Sequence, residues 1–258
     1  MTRIHPSAVV DRRAKLAEDA VVGPFCIVGP EVELGPQVEL RSHVHVAGRT
    51  SLGARTRVFP FAVLGEEPQD KAFAGESTAL AIGVDNVIRE HSSIHVGTPR
   101  GGGCTRIGDD NFIMNGAHIG HDVQVGSHTI IASHVALAGH AVVEDYARIG
   151  GLSGVHQYAR VGESAMVAAL SGVSLDVPPF ALVAGERATL RGLNVVGLRR
   201  RGIAADVREE LKRAFHILFF SRLRLEPALE RVRAAGFKSD EVVRLLAFFE
   251  LSERGVTR

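Results

Sequence analysis

The sequence predicts a mainly β protein: a parallel β-helix of hexapeptide repeats over residues 1–185, followed by a small α-helical domain over residues 186–258. Three observations predict it. An aliphatic residue returns every six positions, and a small or β-branched residue usually follows it four positions later. Beyond Pro178 and Pro179 that period gives way to a helical one.

The first run of the repeat is unbroken: Ile4, Val10, Leu16, Val22, Val28, Leu34, Leu40, Val46, Leu52, Val58 and Leu64. Ala8, Ala14, Ala20, Cys26, Val32 and Val38 take the second position, and turn formers such as Gly fill the interval. The register resumes at Ile82, Ile88 and Ile94 and again from Ile107 to Val173, 26 hexads in all. One hexad is too short to bury its aliphatic side alone, so neighbours must stack. Three short strands per coil, 18 residues, give a triangular prism with the aliphatics inside. Coils about 4.8 Å apart make it roughly 40 Å long. An amphipathic strand meander is the alternative, and a period of six held this long argues against it. Two stretches leave the register, 65–79 (GEEPQDKAFAGESTA) and 97–106 (GTPRGGGCTR). They read as loop excursions, and loops on a rigid scaffold often carry function. In the tail, Val207, Leu211, Phe215 and Leu218 fall on one helix face, Pro227 marks a helix start and Ser239 a cap. A helical cap of this kind would cover the end of the prism and block open-ended strand pairing.

With 258 residues, 45% hydrophobic and 23% charged, the chain is expected to be soluble and to hold a sizeable core. Cys26 and Cys104 lie far apart without metal-type spacing, which suggests neither a disulfide framework nor a zinc knuckle and fits a reducing cytoplasm. The N-terminal stretch has no apolar signal region, and no run of about 18 uncharged apolar residues occurs, so no membrane span is expected. The net charge of +1 hides an asymmetry: residues 1–185 carry 14 Lys/Arg against 19 Asp/Glu, and 186–258 carry 16 against 10. A basic tail could meet an acidic partner or be a set of ordinary solvated helices.

Histidine is unusually frequent, with 12 copies, and the coil period says which of them are neighbours. Residues 18 apart stack, so His121, Gly139 and Gln157 form one column, and Asp122, His140 and Tyr158 the next. Counting across the second excursion puts His95 in a column with Gly120, Ala138 and His156. His95, His121, Asp122, His140, His156 and Gln157 thus gather along one corner, with His118 three residues before His121. Concentrated ionisable groups of this kind indicate a site. Imidazole, with an ordinary pKa of about 6.5, is largely neutral near pH 7 and can accept a hydroxyl proton. His121 is the first candidate base. Asp122 beside it could hold the other ring nitrogen and stabilise the imidazolium. Gly139, with no side chain in the way, could offer its N–H to an oxyanion. No Gly-x-Ser-x-Gly element occurs, so base-assisted direct transfer is expected instead of an acyl-enzyme.

The stretches VVGPFCIVGP (21–30), AHIGHDVQVG (117–126), LAGH (137–140), IGGLSGVHQY (149–158), DVPPF (176–180) and GLNVVGLRRRG (192–202) carry a resemblance over nearly the whole chain. It resembles the UDP-N-acetylglucosamine O-acyltransferases that begin lipid A synthesis. Left-handed winding, an exception to the usual crossover rule, is implied by that resemblance. The related N-acyltransferases carry an extra N-terminal domain, whereas hexads here begin at residue 4. The resemblance implies that His121 deprotonates the glucosamine 3-hydroxyl, that Asp122 orients it and that Gly139 is the oxyanion donor. The donor would be a (R)-3-hydroxyacyl thioester on acyl carrier protein, an acidic partner, with no other cofactor, no metal and no nucleic acid. Gln69, Asp70, His95, His118, His140, His156, Gln157, Asn194 and Arg200 would hold the UDP-sugar and the pantetheine arm, Arg200 at phosphate. Arg201 would dock the carrier protein, and a homotrimer is implied. Ala169, Met166 and Arg187 fall where the family sets acyl length, and a methyl at 169 where glycine would leave more room points to a slightly shorter chain. The sequence departs from the family at Ala72, where a lysine is usual, and at Val196, where an acidic residue is usual.

Three other readings stay open at this point. A zinc enzyme like the trimeric β-helix carbonic anhydrases could use His95, His118, His121 and His140, given three or four ligands converging at about 2.0–2.1 Å. An acetyl-CoA-dependent sugar acetyltransferase would share the hexads. A pure scaffold would make the histidine columns incidental.

Overall fold

The computed structural model describes residues 3–258. Short strands, most of them two residues long, run from Arg3–Ile4 to Gly172–Val173 and, with Ala181–Ala184 and Thr189–Leu193 added to the first, stack into three sheets of 11, 9 and 8 strands, called here the first, second and third. They are the faces of a left-handed parallel β-helix. The register is the sequence period: Arg3 lies opposite Val21, Ile27 opposite His45 and Gln124 opposite Val142, each one 18-residue coil apart.

The second residue of each strand points inward because successive side chains in a strand face opposite ways. Leu40, Leu64, Ile88, Ile113 and Ile131 have no solvent exposure, and burying each contributes about 1.5–3 kcal/mol. Ala20, Cys26, Val38 and Ala62, all without solvent exposure, fill the inner side of the corners. Turning the corner requires one residue per hexad in the left-handed backbone region, and here it is frequently not glycine: Phe25, His43, Asp122, His140 and Tyr158 all have φ near 60°. On the corner between the first and second sheets these residues form an outer ladder, Phe25, His43, Phe61 and His91, with ring centroids 4.9, 4.9 and 5.1 Å apart. That ladder accounts for two histidines that carry no part of the site described below.

Both excursions leave from the corner between the second and third sheets. The first lengthens its coil to 30 residues, with Val63 opposite Ser93, and the second to 25, with Ser93 opposite His118. The strands Val63–Glu66, Ala79–Ile82 and Cys104–Ile107 run further into these stretches than the hexad register marks. After Pro178 and Pro179 the strand Ala181–Ala184 continues the first sheet, and Thr189–Leu193 folds back on it antiparallel.

The chain then forms α1 (Val195–Arg200), α2 (Ala205–Phe215), α3 (Leu225–Ala234) and α4 (Asp240–Glu250). Leu211, Phe215 and Leu218 are buried and Val207 is half-buried, so the face expected from the sequence is the packed one. Pro227 lies in the first turn of α3, two residues inside its start, where a missing N–H costs nothing. Ser239 takes the cap position of α4, but its side chain caps nothing; its N–H donates to Glu210 at 2.9 Å. The cap is riveted to the prism by Glu163, which pairs with Arg201 and, at 2.7 Å, with Arg244. Among the described residues no helix is long and apolar enough to cross a membrane.

Candidate active site

His118 begins a two-residue strand of the second sheet that Ile119 ends, and the corner that follows carries His121 and Asp122. The left-handed conformation of Asp122 turns its side chain back under the corner, where its carboxylate has no solvent exposure. A buried carboxylate needs donors, and it has three. His121 Nδ1 lies 2.8 Å from Oδ2; the Thr98 hydroxyl donates to Oδ2 at 2.6 Å and the Thr98 N–H to Oδ1 at 2.8 Å. The Asp122 N–H is in turn held by the Thr105 hydroxyl at 2.8 Å. Since an ionised carboxylate can only accept, His121 carries its proton on Nδ1 and keeps the Nε2 lone pair free.

One coil on, Gly139 lies flat against the His121 ring. A Cβ there would fall 2.6 Å from Nε2 and 2.5 Å from Cε1, so only glycine fits. The Gly139 N–H donates to no protein acceptor among the described residues. His140 meets His121 edge to face, with centroids 5.0 Å apart, and stacks on Tyr158 at 4.4 Å. Its Nε2 is 3.8 Å from Asp122 Oδ2. Burial lowers the His140 pKa, the Asp122 charge opposes that, and Asp70 on the first excursion is near enough to add to the opposition. The rim is completed by His95, whose Nδ1–H donates to the Glu67 carbonyl at 2.6 Å, and by His118, hydrogen-bonded to the Ser93 hydroxyl at 2.9 Å. Their rings lie 5.2 Å apart, and burial first, then repulsion from His95, holds His118 below the ordinary histidine range. His156 and Gln157 are exposed one coil beyond, and Gln69 is exposed beside Asp70.

Histidines 95, 118, 121 and 140 therefore gather with Asp122, Gly139 and Asp70 on one edge. The structure does not bring Asn194, Arg200, Arg201, Met166, Ala169 or Arg187 to that edge. Asn194, Arg200 and Met166 line an apolar groove on the first sheet with Met114, Leu182 and Val196, and in a triangular prism that face lies opposite the edge between the second and third sheets. Both ends of the Asn194 amide are engaged, Nδ2 donating to the Ser164 carbonyl at 2.9 Å and Oδ1 capping α1 at the Gly197 N–H. Arg200 is exposed at the end of the groove. Arg201 is not a free cation: besides Glu163 it binds the Ser164 hydroxyl at 2.8 Å and lies 3.8 Å over the Tyr146 ring. Ala169 and Arg187 are exposed in turns that follow strands of the first sheet.

His121, Asp122 and His140 form the one group of three or more among the described residues whose potential metal-ligating atoms lie within 4.8 Å of one another. The set fits zinc poorly. Asp122 Oδ2 already accepts from His121 and Thr98, and the two imidazoles stand at 89° to each other, whereas zinc needs lone pairs converging on one point. Sequence reasoning missed Thr98 and Thr105. Their signal was the second excursion itself, a Gly-rich break that nothing tied to Asp122, 24 and 17 residues away.

Residues 176–257 match the model of the second domain of the UDP-N-acetylglucosamine O-acyltransferases, and residues 104–139 the bacterial transferase hexapeptide model. The chain is 47% identical over 258 residues to the acyl-[acyl-carrier-protein]–UDP-N-acetylglucosamine O-acyltransferase of Halorhodospira halophila, covering all of both chains. It is 46% identical over 257 residues to that of Syntrophobacter fumaroxidans, covering 99% of this chain and 100% of the other. The crystal structure of the Moraxella catarrhalis UDP-N-acetylglucosamine O-acyltransferase superposes with a TM-score of 0.96 at 39% identity, over 99% of each chain.

Proposed function

Because the chain belongs to the UDP-N-acetylglucosamine O-acyltransferase family, we propose that it transfers a (R)-3-hydroxyacyl group from acyl carrier protein to the glucosamine 3-hydroxyl of UDP-N-acetylglucosamine. This is an acyltransferase reaction and the first step of lipid A biosynthesis. The observation that carries the assignment of roles is the His121 ring, fixed by Asp122 on one nitrogen and lying against Gly139 on the other side.

His121 Nε2 takes the proton of the 3-hydroxyl as its oxygen attacks the thioester carbonyl. Asp122 holds Nδ1–H and stabilises the imidazolium. The Gly139 N–H donates to the carbonyl oxygen as it gains charge. Collapse breaks the C–S bond, and the thiolate of the carrier's pantetheine leaves with the proton from Nε2. The acyl group itself rides on the carrier protein, with no further cofactor in the reaction. Asp70, His118 and His140 surround the acceptor; His118, kept neutral by burial, serves it as a hydrogen-bonding group.

The groove on the first sheet takes the acyl chain, with Met166 in its lining and Ala169 packed against Gly150 at its rim. Since that face lies opposite the histidine edge, one chain cannot offer both to one substrate. This supports a homotrimer in which the first sheet of one copy faces the histidine edge of the next, bringing Asn194 and Arg200 to His156 and Gln157. The exposed Arg199 and Arg200, with Arg201 anchored beneath them, form the basic face for the acidic carrier protein.

Mass spectrometry of UDP-N-acetylglucosamine incubated with the protein and a panel of 3-hydroxyacyl carrier proteins tests this, with acetyl-CoA in parallel. The expected product carries one added 3-hydroxyacyl group and disappears with His121→Ala. Acetyl transfer alone would move the chain to the acetyltransferases, and an active His121→Ala would remove the base.

A further inference from the structure

We propose that Thr98 is a positioning residue for the reaction, holding Asp122 so that Asp122 can hold His121; this rests on reading His121 as the base. A carboxylate bonded only to an imidazole is free to rotate about its own Cβ–Cγ bond and to swing the ring with it. Thr98 removes that freedom by donating to both oxygens at once, from N–H to Oδ1 and from hydroxyl to Oδ2. The oxygen that takes the hydroxyl is the one that takes His121 Nδ1, so the two donors fix one carboxylate plane.

Thr98 is itself held. It is 4% exposed, and its carbonyl accepts from the Gly101 N–H at 3.1 Å and the Gly103 N–H at 2.9 Å, closing a tight 3-10 turn over Pro99–Gly101. The flanking glycines are spaced to the carboxylate. A Cβ at Gly101 would lie 1.9 Å from Asp122 Cγ, and one at Gly97 would lie 2.7 Å from Oδ1. The second excursion therefore closes on Asp122 as a clasp: glycine permits the approach, and threonine supplies the two donors. A valine would keep the shape and lose the hydroxyl; a serine would keep the hydroxyl.

The test is steady-state kinetics of Thr98→Val, Thr98→Ser and Gly101→Ala, with thermal unfolding of each and His121→Ala alongside. Thr98→Val is expected to lower kcat roughly 10- to 100-fold, the range a misplaced catalytic group costs, while KM for UDP-N-acetylglucosamine stays within about twofold. Thr98→Ser should recover most of that loss. Gly101→Ala, which pushes the carboxylate while leaving the Thr98 side chain in place, should lower kcat at constant KM and serves if the valine variant does not fold. Wild-type kcat in Thr98→Val or Gly101→Ala, or a serine variant as slow as the valine one, overturns the proposal. An inactive His121→Ala beside an unimpaired Thr98→Val overturns the clasp alone; an active His121→Ala overturns the base and the clasp together.

Discussion

At His121 the position of a single carboxylate decides which ring nitrogen is available, and at Gly139 the absence of a single methyl decides whether the ring has room. Neither effect is a property of histidine or glycine alone; each comes from the neighbour packed against it. His118 shows the same dependence in its protonation. Burial lowers its pKa from the ordinary 6.5, with His95 adding repulsion, so the folded protein binds fewer protons than the unfolded chain as pH falls below about 6.5. The unfolded state then gains and stability falls, until the pH is under the depressed folded value. His118→Asn removes that difference. Its melting temperature is expected to drop less than that of the wild type between pH 7.5 and pH 5.5, and equal drops would show that His118 titrates alike in both states.

Among the elements, the corners do the unusual work. A left-handed residue other than glycine costs about 1–2 kcal/mol, yet the repeat places Asp122, His140 and Tyr158 in that conformation on successive coils. The neighbours overdetermine it through the inward aliphatic on each side and the main-chain bond to the previous coil, as His140 N–H makes to the His121 carbonyl at 3.0 Å. The helical cap depends on a different device. Glu163 holds Arg201 from the turn after α1 and Arg244 from α4, and its side chain is only 13% exposed. Glu163→Ala leaves two guanidiniums without their shared anion and is expected to cost about 2 kcal/mol, part of the loss being screened at the more exposed Arg244. Urea unfolding followed by far-ultraviolet circular dichroism would show it, and an unchanged midpoint would mean that apolar packing of Phe215, Leu245 and Phe249 holds the cap alone.

For the whole molecule, the decisive relation is between one edge of the prism and the face opposite it. If the site is shared between copies, His121→Ala and Arg200→Ala disable different contributors to it. Either variant alone should be nearly inactive. Unfolding and reassembling an equal mixture should restore about one quarter of wild-type activity, because half the histidine edges and half the facing grooves are intact and they combine at random in a closed ring. No recovery, with mixed trimers confirmed by native mass spectrometry, would place both groups in one chain's site.

The sequence by itself determined the architecture, because a period of six aliphatics admits few ways to bury them and 18 residues per coil follow from three strands. It also determined which histidines share a corner, since stacking at fixed register converts sequence separation into distance: His121, Gly139 and His140 could be placed together by counting. What counting could not reach lies where the period is broken. Thr98 and Thr105 both sit within the second excursion, and no periodicity says that a Gly-rich loop returns beneath Asp122; only packing against the corner decides it. Nor could it show that Arg201 is already held by Glu163, Ser164 and Tyr146, because the partners come from coils and a cap that meet only when the prism is closed. Local pattern fixes what repeats, and tertiary structure alone decides the contacts made by residues outside the repeat.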